Sequence, residues 1–266
     1  MSLFGKPKSP EELMYKAERD LARGDIAAFR NLVDQCIESY RSSGRHFDAG
    51  IQGLRTAKAL NKCGAHDPVP HYCQSARQDF SEAGTRTFQP PDPDPNRAMQ
   101  TATQYQSCFV NQGLCYLEEG YALYRLQTHP RSMKALHKAR TMLQAWRMEE
   151  EAASAQLYWA GSLMSFAIDK VISHGADKAS DRLLEKAITT LRSLKDEFMS
   201  MGDSRGAATC FIEMAGGLLI LRRPQDVIDA FPEVRRLCEK SNDAFLLNQC
   251  RQDYKQALSL KDKLDG

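Results

Sequence analysis

The segment at residues 201–232, MGDSRGAATCFIEMAGGLLILRRPQDVIDAFP, decides the fold class of this chain. Its first predicted helix carries small and large apolar residues around nearly its whole circumference and ends before Arg223 and Pro224. A helix that is apolar all round is normally buried by neighbours on several sides. The segment therefore predicts an inner helix of a larger all-α assembly, followed directly by a second helix.

The same pattern recurs twice more along the chain. Placing Gly44 over Gly202 aligns Ala49 with Ala207, Leu54 with Ile212, Ala57 with Ala215 and Leu60 with Leu218. A third copy begins near Met148 and aligns Ala153, Tyr158, Gly161 and Met164. Small residues let a neighbouring helix approach and large ones fill the grooves between helices, which is typical of stacked helical repeats. The tetratricopeptide consensus of about 34 residues does not recur in full. We expect a solenoid of antiparallel helical hairpins, with a compact bundle as the alternative.

Capping signals predict about eleven helices. Ser9, Pro10 and Glu12 form a capping box with proline at the first helical position, while Gly24 and Gly44 are typical helix terminators. The predicted helices run from Pro10 to Ala22, from Asp25 to Gly44, and over 48–62, 69–83, 96–127, 130–146, 149–172, 179–201, 204–221, 224–240 and 243–263. Pro232 is expected to break or kink the tenth helix. Almost no segment alternates with the period of a strand, so the sequence predicts an all-α chain.

A proline-rich segment interrupts the helical pattern at residues 85–96. Four prolines lie within six residues, Pro90 to Pro95, and prolines remove backbone donors and hold the chain extended. We expect one loop here. It would divide a single helical-repeat domain, residues 1–266, into an N-terminal part of four helices and a C-terminal part of seven.

The charge balance argues against two classes of partner. The chain has 36 Lys and Arg against 34 Asp and Glu, so no overall field would attract nucleic acid or a membrane surface. No apolar run approaches the length that spans a bilayer, and no signal segment is evident, which favours a soluble intracellular protein. Five of the eight cysteines fall within helical patterns and are expected to be reduced and buried, namely Cys36, Cys108, Cys210, Cys238 and Cys250.

One cluster has residue types that could bind zinc. Two thiols and two imidazoles lie within eleven residues, in the order C-x2-H and H-x-C, and zinc binds such groups. They belong to Cys63, His66, His71 and Cys73. The spacing of the second pair is tight, and the alternative is a turn between helices with polar histidines and packing cysteines. Motifs for phosphate binding or an activated serine are absent. The sequence therefore predicts neither a cofactor nor an enzyme.

Basic residues form three small groups. Lys134, His137, Lys138 and Arg140 share one predicted helix, and the pairs Arg222–Arg223 and Arg235–Arg236 lie close in sequence. Such groups are either a solvated face or a surface for an acidic partner. The candidate partner-binding residues are Lys134, Lys138, Arg222, Arg223, Arg235 and Arg236.

Residues 213–238, EMAGGLLILRRPQDVIDAFPEVRRLC, carry a family resemblance. They resemble the soluble NSF-attachment protein (SNAP) class and, within it, the family of the forty-kilodalton huntingtin-associated protein. The matching positions are Leu218, Leu219, Arg222, Phe231, Arg236 and Leu237, with a weaker likeness over 76–118. This chain is shorter than expected for that family and lacks its proline-rich insertion.

The resemblance implies a non-enzymatic subunit that stabilises huntingtin, a large HEAT-repeat protein, as a one-to-one heterodimer. It also implies localisation in the cytoplasm, and in the nucleus or on endosomes. A role in vesicle trafficking would follow from the endosomal localisation. The tripeptide Leu3, Phe4, Gly5 is similar instead to the apolar N-terminal loop of attachment proteins. That alternative implies an adaptor for SNARE disassembly, and a generic tetratricopeptide scaffold is the second alternative.

Overall fold

The computed structural model describes residues 9–87 and 94–266, and these contain eleven helices and no strand. The helices are α1 (Pro10–Ala22), α2 (Ile26–Ser42), α3 (His46–Lys62), α4 (Val69–Thr87), α5 (Pro95–Arg125), α6 (His129–Ala145), α7 (Glu149–His174), α8 (Lys178–Ser200), α9 (Ser204–Ile220), α10 (Pro224–Lys240) and α11 (Ala244–Asp265). The all-α fold of helical hairpins packed in series is confirmed. The tripeptide at residues 3–5 and most of the predicted proline-rich loop lie outside the described residues.

Most helix ends lie within two residues of their predicted positions. The capping box of α1 is present, since Ser9 Oγ accepts the N–H of Glu12 at 3.2 Å and Glu12 Oε2 accepts the N–H of Ser9 at 3.2 Å. The predicted loop at 85–96 begins too early, because α4 continues to Thr87. The expected break at Pro232 does not occur, because α10 runs through the proline, and the expected kink stays a prediction. Buried residues on both sides of the proline hold the helix in place by packing.

The turns between helices recur at a fixed interval. Left-handed residues lie twenty positions apart in three series: Gly24, Gly44 and Gly64; Gln127 and Arg147; and Gly202, Arg222 and Asn242. At the second turn the N–H of Arg45 donates to Tyr40 O at 2.8 Å and that of Gly44 donates to Arg41 O at 2.9 Å. These two hydrogen bonds together form the Schellman motif, which satisfies the last carbonyls of a helix. One turn design therefore joins most successive helices.

The first compact unit spans Met1–Leu126. Each helix from α1 to α5 packs on the next, and α5 also packs on α3. The predicted loop at 85–96 thus lies inside this unit, between α4 and α5, and α5 belongs with the first four helices by its contacts. That the whole chain forms one domain stays a prediction.

The second compact unit spans Gln127–Gly266. Each helix from α6 to α11 packs on the next, and α9 also contacts α7 and α11. Helix α9 is therefore the inner helix that its sequence predicted. Its small residues Ala207 and Ala215 are fully buried, and Leu218 is 2% exposed.

Candidate functional site

The four candidate zinc ligands do not converge on one point. Cys63 is exposed at the end of α3, and its Sγ lies 3.3 Å from Leu60 O. His66 Nδ1 lies 3.0 Å from Asn61 Oδ1. His71 belongs to α4 and lines a polar groove together with Arg41 and Asp79. Among the described residues, no three His, Cys, Asp or Glu side chains are grouped to hold a metal ion. His66 instead lies in the turn between α3 and α4, and Cys73 is buried within α4.

The remaining cysteines are buried thiols. Burial raises the pKa of Cys36 to about 11 and that of Cys115, Cys210 and Cys250 to about 12. Cys73 is also fully buried, and its pKa is raised well above the usual range for the same reason. The nucleophilic form of cysteine is the thiolate, so these side chains are held in their unreactive form. The prediction that the helical cysteines are buried is confirmed.

A polar groove of about 380 Å³ lies between α2 and α4 in the first unit. At its base, Arg41 Nε donates to Asp79 Oδ1 at 2.9 Å and Arg41 Nη2 donates to Asp79 Oδ2 at 2.7 Å. The Asp79 carboxylate is only 4% exposed, and its hydrogen bonds raise the pKa of the guanidinium. His46 Nδ1 lies 3.1 Å from Glu82 Oε2, but without hydrogen-bond geometry. The charges of this groove are thus largely engaged with one another.

A second groove, of about 390 Å³, lies between the alternate helices α1 and α3. Its walls carry Met14 and the aromatic side chains of Tyr15, Phe29 and Tyr40, and Tyr15 is 75% exposed. Aromatic side chains and methionine are enriched in the buried centres of protein interfaces. This groove is the strongest candidate site for a protein partner in the first unit.

The predicted basic residues fall into two groups by their contacts. Arg223 pairs with Glu185 of α8 at 3.0 Å and with Asp226, and Arg235 pairs with Glu239 at 2.8 Å. Arg222 and Arg236 are exposed and form no ion pair within the parts of the chain that the structure describes. Arg223 and Arg235 are therefore already paired within the chain, and a partner would have to compete for them.

The basic group on α6 is similarly divided. Lys134, His137 and Lys138 are exposed, whereas the Nε of Arg140 is buried. The sequence reasoning missed a further exposed basic pair, Arg251 and Lys255 on α11. Their spacing of four residues on a predicted helix was the signal that could have found them.

The comparisons with known proteins are uninformative about function. No protein-family model and no curated protein matches the sequence. A solved structure described as a circular tandem repeat protein with novel repeat topology and enhanced subunit contact surfaces is similar at 13% identity and a TM-score of 0.27. The match covers 96% of this chain and 58% of that one, and so distant a likeness carries no argument. In the described residues no helix is long and apolar enough to cross a membrane.

Proposed function

We propose that this protein is a non-enzymatic interaction subunit that binds another protein along the grooves between alternate helices. The observation that supports it best is the groove between α1 and α3, where an exposed Tyr15 stands beside Met14 and two further aromatic side chains. Helical hairpins packed in series present such grooves as extended surfaces for a partner. Three charged side chains, Glu11, Glu18 and Arg55, also line the groove, so a partner would bury its aromatic and methionine side chains and supply groups that pair with these charges.

The family resemblance supplies a specific partner for this proposal. It is huntingtin, a large HEAT-repeat protein, bound one-to-one, with the complex in the cytoplasm and also in the nucleus or on endosomes. A permanent interface of this kind would be large and apolar, and would resist salt. An adaptor for SNARE disassembly is the alternative, in which binding is transient and falls as salt rises.

Affinity purification of the tagged full chain from cells, at moderate and at high salt, tests the proposal. One very large helical-repeat protein, recovered one-to-one at both salt concentrations, would support it. Recovery of SNARE proteins and a hexameric ATPase, lost at high salt, would favour the adaptor instead. Recovery of several unrelated proteins would favour a generic scaffold, and no recovered partner would overturn the proposal.

A variant localises the interaction. Tyr15→Ser removes the exposed aromatic ring of the groove, so partner recovery should fall by about tenfold. Met99→Ser is the matched control, because Met99 is 66% exposed on α5 and does not line the groove. Equal losses from the two variants would show that the groove is not the binding site.

A further inference from the structure

The α1 wall of the groove between α1 and α3 has apolar side chains between two acidic ones. Glu11, Met14, Tyr15 and Glu18 all line the groove, and helix periodicity places residues at this spacing in one row along α1. The two glutamates are about 10 Å apart along the helix axis, because each residue rises by about 1.5 Å. This wall therefore presents an acidic, an apolar and a second acidic patch in sequence.

The two carboxylates are available to a partner. Glu11 and Glu18 are exposed, and neither forms an ion pair in the part of the chain that the structure describes. Arg55 of α3 lines the groove as well, and Arg45, which lies near Glu11, is already paired with Asp48 at 2.7 Å. Two carboxylates against one guanidinium give the described lining a net negative charge. The groove therefore favours a cationic segment and disfavours the phosphates of nucleic acids and anionic lipids.

A buried amide in the same groove also lacks a partner. Gln52 of α3 is 6% exposed and lines the groove. Its backbone carbonyl accepts the hydroxyl of Thr56 at 2.8 Å, but its side-chain amide forms no hydrogen bond to any residue that the structure describes. A buried polar group without a hydrogen bond is unfavourable. A side-chain amide has a donor and an acceptor side by side, which suits the N–H and C=O groups of an extended backbone.

The size of the groove favours an extended segment over a helix. Two turns of a helix about 10–12 Å wide occupy roughly 1000 Å³, whereas the groove has a volume of about 390 Å³. A helix also uses its backbone N–H and C=O groups internally, so it has none for Gln52. In an extended segment, side chains at positions i, i+2 and i+4 point the same way and span about 13 Å. Long, flexible lysine side chains adapt this span to the two glutamates.

We propose that the groove between α1 and α3 binds an extended basic segment of a partner protein, of the type Lys-x-Leu-x-Lys. The inference rests on the proposed function and adds the chemistry of the partner. The two lysines pair with Glu11 and Glu18, and the leucine packs on the apolar side chains between them. The Gln52 amide hydrogen-bonds to the backbone of the segment, and Arg55 donates to one of its carbonyl groups.

Synthetic peptides test the proposal with the full chain. Short peptides of about nine residues have a central Leu, with Lys, Gln or Glu two positions before and after it, and β-branched Thr elsewhere to disfavour a helix. A longer peptide of about 18 residues places two lysines seven positions apart beside a leucine face, as a helical alternative. Binding is measured by fluorescence anisotropy. We expect the short Lys peptide to bind at least about tenfold more tightly than the short Glu peptide, and more tightly than the helical one.

A matched pair of double variants then locates the site. Glu11→Gln with Glu18→Gln should weaken binding of the short Lys peptide by about fivefold or more and leave the Gln peptide unchanged. Glu150→Gln with Glu197→Gln is the control, since it removes two exposed carboxylates that do not line the groove. Glu150 also lies in the first turn of its helix, as Glu11 does. The control should change binding less than about twofold, and circular dichroism verifies that each variant is folded.

Gln52→Met tests the contact with the peptide backbone. It removes the amide and keeps the length of the side chain, so the Lys and Gln peptides should both bind about fivefold more weakly. The free energy of unfolding should not fall, because the amide has no hydrogen bond to lose among the described residues. A fall in that free energy with unchanged peptide binding would show that the amide serves the fold instead.

Three further outcomes would overturn the inference. They are equal binding of the Lys, Gln and Glu peptides, equal losses from the two double variants, and tighter binding of the helical peptide. The proposed function is judged separately. If the tagged Glu11→Gln, Glu18→Gln chain still recovers a one-to-one partner, and recovery still depends on Tyr15, the basic segment is wrong and the interaction subunit stands.

Discussion

A β-carbon placed on Gly50 would lie 2.8 Å from Cε1 of Phe80, and the next two ring atoms would be within 3.0 Å. Phe80 is fully buried in the core of the first unit, where its ring also packs edge-on against Phe47 at 5.7 Å between centroids. The glycine thus lets α3 and α4 approach closely enough for the ring of one helix to lie on the backbone of the other. This is the packing that the small residues in the sequence predicted.

Gly50→Ala should therefore lower the free energy of unfolding by about 1–3 kcal/mol, because the buried ring has no room to move aside. Gly216→Ala is the control with the opposite sign. It should raise that free energy by up to about 1 kcal/mol, since alanine favours the helix and meets only ordinary contact. Chemical denaturation of both variants measures the difference, and stabilisation by Gly50→Ala would contradict the close packing.

Arg147→Gly should stabilise the protein by about 0.5–1 kcal/mol. Arg147 has a φ of 56°, a left-handed conformation that costs a residue with a β-carbon about 1–2 kcal/mol. Part of the gain is offset by the greater freedom of glycine in the unfolded chain. Arg147→Ala keeps the β-carbon and should change the melting temperature little. If alanine stabilised as much as glycine, the loss of the arginine side chain would be the cause.

The Arg41–Asp79 pair should respond unequally to loss of its two members. Arg41→Ala leaves a carboxylate that is 4% exposed without its guanidinium, which should cost roughly 3 kcal/mol. Asp79→Ala should lower the free energy of unfolding by less, because Arg41 is 32% exposed and still has Glu38 and Glu82 nearby. Urea unfolding of both variants and of Arg41→Met with Asp79→Leu gives the comparison. Equal losses would show that burial of Asp79 does not set the cost.

The buried cysteines should make the protein less stable in alkali. Burial raises the pKa of Cys210 from its ordinary 9.0 to about 12. As the pH rises, the unfolded chain therefore loses this proton at a lower pH than the folded protein does. The contribution of the buried thiol to the free energy of unfolding is present in full below about pH 9 and is lost as the pH rises towards about 12.

Melting temperatures measured from about pH 8 to about pH 10 should fall, and Cys210→Ala should make the decline less steep. Cys63→Ala is the control, since Cys63 is exposed and should leave the decline unchanged. A decline that is as steep in Cys210→Ala as in the wild type would assign the alkaline loss to other groups.

The sequence by itself determined the helices and the inner position of α9. Caps and helix-ending glycines act within a few residues of themselves, so Ser9 and Glu12 show the start of α1 as clearly as its hydrogen bonds do. The apolar circumference of α9 required neighbours on several sides, whatever their identity. Left-handed turns at Arg147 and Arg222 could not be read in this way, because neither residue favours that conformation locally.

Only the tertiary structure decided which charges are available to a partner. Arg222 and Arg223 are neighbours in sequence, yet Arg222 is exposed and Arg223 is paired with Glu185 of α8. Pairing depends on what another helix brings within about 4 Å, and residues nearly forty positions away supply it here. Local signals therefore fix where each helix begins and ends, whereas the register between helices fixes which of their faces remain open.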